Sequence, residues 1–130
     1  MLHRDYLLDL IEQFVSTISH SLVRAILQRD LDSALEVEEA IAELVQLDPE
    51  TAMALSPESL VVMMQLSGTG DAVASYAAYA LNRLADSYEQ MGDAATAATR
   101  REQALAIAEA FGGDVNQIPE ELRDLEARLA

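Results

Sequence analysis

Apolar residues recur along this chain at a spacing close to 3.6, and the rhythm breaks where glycines and prolines fall. The first run, about residues 5–28, puts Leu7, Leu8, Ile11, Phe14, Val15, Ile18, Leu22, Ala25 and Ile26 on one stripe. That stripe is wider than a two-stranded coiled-coil seam, so it predicts a helix packed on several neighbours. Asp30 is placed to cap a second helix to about Gln46, with Ala34, Ile41, Leu44 and Val45 turned inward. A third helix is predicted from Pro57 to about Leu66. Asp71 is expected to open a fourth, running through Val73, Ala77, Leu81, Leu84 and Tyr88 to Met91. Asp93 opens a fifth to Phe111, and Pro119 a sixth to about Leu129.

The breakers support these boundaries. Pro49 and Pro57 follow the capping side chains Asp48 and Ser56, where a first helical turn tolerates the missing N–H. The five glycines fall where helices should stop. One segment competes: Leu60-Val61-Val62-Met63-Met64-Gln65-Leu66 also reads as a buried strand, and Gly68-Thr69-Gly70 follows it. A strand, glycine-rich turn and helix would suit a dinucleotide phosphate, but such a loop needs a parallel sheet. No second strand candidate exists, and Asp71 would face the phosphate. A helix end followed by a helix start is the better reading. The expectation is an all-α domain spanning residues 1–130, with about six helices in antiparallel hairpins.

Composition narrows the function classes. All eight bases are arginines against 23 acids, a net charge of −15, which leaves no basic footprint for nucleic acid. Cysteine is absent, which excludes disulfides, thiol nucleophiles and thiolate metal sites. The opening residues carry charges and no apolar signal core, and the longest uncharged stretch, Ser59–Gly70, is twelve residues long. No membrane segment and a cytoplasmic location are therefore expected. The missing lysine fits either a GC-rich coding bias or a salt-adapted surface. Of the 66 hydrophobic residues 22 are alanine, so 44 larger side chains must build the core.

The clearest local pattern runs from residue 79 to 111: Leu81, Leu84-Ala85, Tyr88, Gly92-Asp93, Ala97 and Ala104. Leu84, Ala85 and Tyr88 share one helical face, Gly92 permits a left-handed turn, and Ala97 and Ala104 lie two turns apart on a face narrow enough for close approach. This pattern resembles one tetratricopeptide (TPR) repeat, a helix–turn–helix of about 34 residues. Arg101 stands where such repeats usually carry an aromatic residue. A fainter echo holds Arg29-Asp30, Ala34, Ile41 and Leu47-Asp48-Pro49, but Asp30 and Asp93 are 63 residues apart, which is not one repeat length. From His3-Arg4-Asp5-Tyr6-Leu7-Leu8 and Ile11-Glu12-Gln13 through Leu55-Ser56-Pro57-Glu58-Ser59-Leu60, the chain is similar to a functionally uncharacterised family of short bacterial TPR-like proteins. The resemblance implies a degenerate, right-handed helical array and no particular chemistry.

Candidate chemistry is sparse. Glu39 and Glu43 form an i,i+4 carboxylate pair beside Glu36 and Glu38, better read as a solvated face than as a metal site. His20 sits among Ser16, Ser19 and Ser21, but serines one position away on a helix point well off the imidazole. Arg100-Arg101, with Arg83 and Arg4, are the candidate anion anchors; a surface ion pair of Arg101 with Asp93 or Glu109 is the plainer reading. No enzyme, cofactor or metal is expected.

The TPR resemblance implies protein–protein interaction. Carried over with Tyr88 at the repeat's tyrosine position, it places the partner-binding face on Tyr79, Asn82, Asp86 and Glu89, with Arg83 adjacent. With a single arginine there, the expected ligand is a protein or peptide segment bearing basic or amide groups. The alternative is a structural homo-oligomer, for instance a homodimer, in which the first helix, with Leu60, Met63 or Met64 exposed, forms the assembly surface.

Overall fold

The computed structural model describes residues 2–130, with side chains from Asp5 onward; the side chains of His3 and Arg4 lie outside it. Seven α-helices follow one another: α1 (Leu2–Leu27), α2 (Leu31–Val45), α3 (Pro49–Ala54), α4 (Pro57–Ser67), α5 (Gly70–Gln90), α6 (Ala94–Ala110) and α7 (Arg123–Leu129). A 3-10 turn at Glu120–Leu122 leads into α7. Among the described residues there is no strand, and the stretch Leu60–Leu66 lies within α4.

Local chemistry explains most of the boundaries. The carboxylate of Asp48 accepts from the Thr51 N–H at 3.2 Å, the Ser56 hydroxyl from Ser59 N–H at 3.2 Å, and Asp93 from Thr96 N–H at 3.1 Å. Asp48-Pro49 thus starts a six-residue helix of its own, α3, which the count of about six omitted. Two capping expectations are corrected. Asp30 holds the cap position of α2, but its carboxylate accepts from the Ser33 hydroxyl at 2.7 Å and from no backbone N–H. Asp71 falls inside the first turn of α5, because that helix starts at Gly70.

Glycine is required twice around this junction. Gly68 ends α4 at φ +77°, in the left-handed region. A Cβ on Gly70 would lie 2.6 Å from the Phe111 ring and 2.9 Å from the Met64 carbonyl oxygen, so the start of α5 passes too close to both for any side chain.

The hairpins α1–α2 and α5–α6 are the most extensive pairings, and α5 also packs on both α1 and α2. Leu81, Leu84 and Ala85 of α5 are fully buried, as are Ala97 and Ala104 of α6, so the small residues allow the close α5–α6 approach that their spacing predicted. The broad stripe of α1 meets several neighbours: α2, α5, and the C-terminal turn with α7. Among its described residues Tyr6, Leu8 and Leu27 are the large apolar side chains left exposed, which corrects the place of Leu8 on the inward stripe. The expected exposure of α4 is corrected: Leu60 and Met64, one turn apart, are buried where α4 packs on α6, whereas Val62, Met63 and Leu66 face outward.

Candidate functional site

The five residues singled out for partner binding all lie on α5, spaced along one flank of the helix. Tyr79 is buried, Asn82, Arg83 and Asp86 are half-buried, and Glu89 is exposed. The chain's own C-terminal segment covers two of them, Tyr79 and Arg83. The Tyr79 hydroxyl donates to Glu126 Oε1 at 2.8 Å, and Arg83 Nε donates to the same oxygen at 2.9 Å. Arg83 Nη2 completes a two-pronged grip on the other oxygen of Glu126. One turn earlier on α5, the Tyr76 hydroxyl donates to Glu121 Oε2 at 2.6 Å.

The remaining charges of the flank are satisfied on the other side. Arg83 Nη1 donates to Asp86 Oδ2 at 2.9 Å. Arg101, reaching over from α6, donates to Asp86 Oδ1 at 2.9 Å and to Glu89 Oε2 at 2.6 Å. The partners of Arg101 are therefore Asp86 and Glu89, which corrects the pairing with Asp93 or Glu109. Two guanidinium groups and three carboxylates alternate in one ribbon, Glu126–Arg83–Asp86–Arg101–Glu89.

Electrostatics follow the geometry. The Arg83 guanidinium, helped by the Tyr79 hydroxyl, holds Glu126 below the usual carboxylate range against the opposing effect of burial. Burial, together with the hydrogen bond to Glu126, pushes the Tyr79 phenol upward; the same two causes, with Glu121 as partner, raise Tyr76 to about 12. Burial works against the Arg83 charge, but Glu126 and Asp86 together raise its affinity for its proton. These phenols are donors at neutral pH, and both are spent on carboxylates of the C-terminal segment. A cleft of about 200 Å³ remains beside it, between Asn82, Asp86 and the loop residues Val115, Asn116 and Ile118.

Of the other candidates, His20 Nδ1 lies 3.0 Å from the Ser16 carbonyl oxygen, one turn back on its own helix. Arg100, a candidate anion anchor, is buried and spent within the chain, with Nε 3.3 Å and Nη2 3.2 Å from Glu38 Oε2 of α2. Its Nη1 donates to the Met53 carbonyl oxygen at 3.1 Å and to Gln103 Oε1 at 2.9 Å, while Gln103 Nε2 donates to the Leu55 carbonyl oxygen. The Tyr88 hydroxyl donates to Glu38 Oε2 at 2.8 Å. Sequence reasoning missed both Glu126 and this cluster, because the partners are 43 to 62 residues apart along the chain. Arg101 did leave a signal, as a charged residue where a stacking aromatic was expected. No protein family, no curated protein and no solved structure matches this chain.

Proposed function

We propose that this protein is a non-enzymatic protein–protein interaction module of TPR-like type, binding a protein or peptide through the α5 flank of Tyr79, Asn82, Arg83, Asp86 and Glu89. The observation that carries the reading is the seating of the chain's own C-terminal segment on that flank. Leu122, Leu125 and Leu129 turn inward at helical spacing, and Glu126 lands on Tyr79 and Arg83. The seating supports the reading by analogy with helix-in-groove recognition, and a partner segment would meet the flank at the cleft that the tail leaves open beside Asn82 and Asp86, or after displacing the tail. The α5–α6 hairpin, turned at Gly92 with φ +86°, supports the TPR-like part of the reading, as does its packing beside α1–α2. The cleft beside Asn82 and Asp86 offers amide and carboxylate groups to a ligand segment with amide or basic groups, whose affinity should fall as salt rises.

The test begins with affinity capture on the full chain, followed by titration of the purified partner. Asp86→Arg combined with Glu89→Arg should abolish that binding while the circular dichroism melt stays cooperative. Full affinity in the folded double variant would move the binding face elsewhere.

A further inference from the structure

A second cleft lies away from the α5 flank, between α2 and α3, with a volume of about 440 Å³. We propose that it binds an alkyl cation, an ammonium or guanidinium head on a short aliphatic stem, with Glu38, Glu39 and Glu50 around the head and Leu35, Pro49 and Met53 along the stem. Its volume falls within the range of about 300–1,000 Å³ common to small-ligand sites. The proposal does not depend on the function assigned to α5.

Glu38 is the telling residue. It is only 8% exposed; its two donors, the Tyr88 hydroxyl and Arg100 Nε, both converge on Oε2, and Arg100 Nη2 lies 3.2 Å from the same oxygen. Oε1 accepts from no described residue. Yet among the described residues no fully buried side-chain nitrogen or oxygen lacks a partner. Oε1 therefore reaches an opening, and the opening that Glu38 lines is this cleft. A half-engaged carboxylate at the base of an apolar-walled cleft leaves an acceptor for an incoming N–H.

Charge selects a cation. Glu39 and Glu50 form no ion pair with any described residue, and the net charge of −15 reinforces their field. The one nearby positive group, Arg100, has its N–H groups directed to Glu38, Met53 and Gln103. The apolar wall, where Leu35 is 43% exposed, suits the methylene stem that lysine- and arginine-like groups bury.

The probes are agmatine, a free guanidinium on a four-carbon stem, and a blocked glycine–arginine–glycine tripeptide, titrated into the labelled full chain and followed by amide shifts and calorimetry. Both should perturb α2 and α3, and both should weaken with added salt. Tighter binding of agmatine identifies a free alkyl cation as the natural ligand class; tighter binding of the tripeptide identifies a basic side chain of a partner. Glu38→Gln should weaken binding, but it also touches the buried cluster and can unfold the chain. The surface variant Glu39→Gln with Glu50→Gln is therefore decisive, with an expected loss of about fivefold or more. No α2 or α3 shifts at millimolar probe, equal binding of neutral isoamyl alcohol, or unchanged affinity in the surface variant would overturn the proposal.

Discussion

The chain uses one constellation twice, at two depths. On the α2–α6 side, the Tyr88 hydroxyl and the Arg100 guanidinium converge on Glu38; on the α5–α7 side, the Tyr79 hydroxyl and the Arg83 guanidinium converge on Glu126. Each ties together helices far apart in sequence. The first is almost dry, with 8% and 11% of the Arg100 and Glu38 side chains exposed. The second keeps 23% and 25% and extends outward through Asp86, Arg101 and Glu89. The same three groups thus make a mostly buried clamp, reached by solvent only along the cleft that Glu38 lines, and a latch that is partly solvated. Burial raises both the interaction energy and the penalty for losing one partner, so the clamp is all-or-none and the latch is graded.

The sharpest way to break this contrast is Arg100→Met, which strands a buried carboxylate and should cost roughly 3–5 kcal/mol in urea denaturation. A loss no larger than that of a surface pair would mean that the clamp is wet. Next comes Ala97→Leu, one turn before Arg100 on α6 and likewise buried; it should overpack the α5–α6 seam and cost roughly 1–3 kcal/mol. An unchanged melting temperature would show that the seam is slack and that the clamp alone holds α6.

Glu126→Gln should cost only about 1 kcal/mol, since the latch is partly solvated. Its pH dependence carries the diagnosis. Because Glu126 is held below its ordinary range when folded, its contribution is complete above the unfolded carboxylate value and disappears as pH falls through the folded one. Wild-type and variant melting temperatures should differ at neutral pH and converge in acid; parallel curves would show that Arg83 does not depend on this charge. The smallest effect belongs to Glu89→Gln at the exposed end of the ribbon, below about 0.5 kcal/mol and vanishing in salt. A larger, salt-resistant loss would place the ribbon on the clamp's side of the comparison.

Much of the scaffold was legible because its determinants are local. The caps at Asp48, Ser56 and Asp93 and the left-handed turn at Gly92 each involve residues within one or two turns of one another. Periodicity likewise marked Leu81, Leu84, Ala97 and Ala104 as core. The misreadings have separate local causes. Asp30 and Asp71 are competent caps that a neighbouring hydroxyl and an earlier helix start left unused, and α3 is too short to show a period. For the candidate site, periodicity placed the five residues along one stretch of α5, but not that the chain's own tail meets Tyr79 and Arg83.

Helicity and its punctuation are local properties: alanine and leucine favour the helix throughout, and glycine, proline and capping side chains say where it stops. The fate of each charge depends instead on how the helices pack. Arg100 and Arg101 are adjacent in the chain, yet one is sealed against Glu38 and the other lies on the surface with Asp86 and Glu89. A turn of 100° per residue sends neighbours to different faces, and only the packing of α4 and α5 on α6, with Glu38 of α2 and Met53 of α3 reaching Arg100, sets which face is dry. The energy of a charge depends on that dryness, a property of the assembled helices that no residue carries on its own.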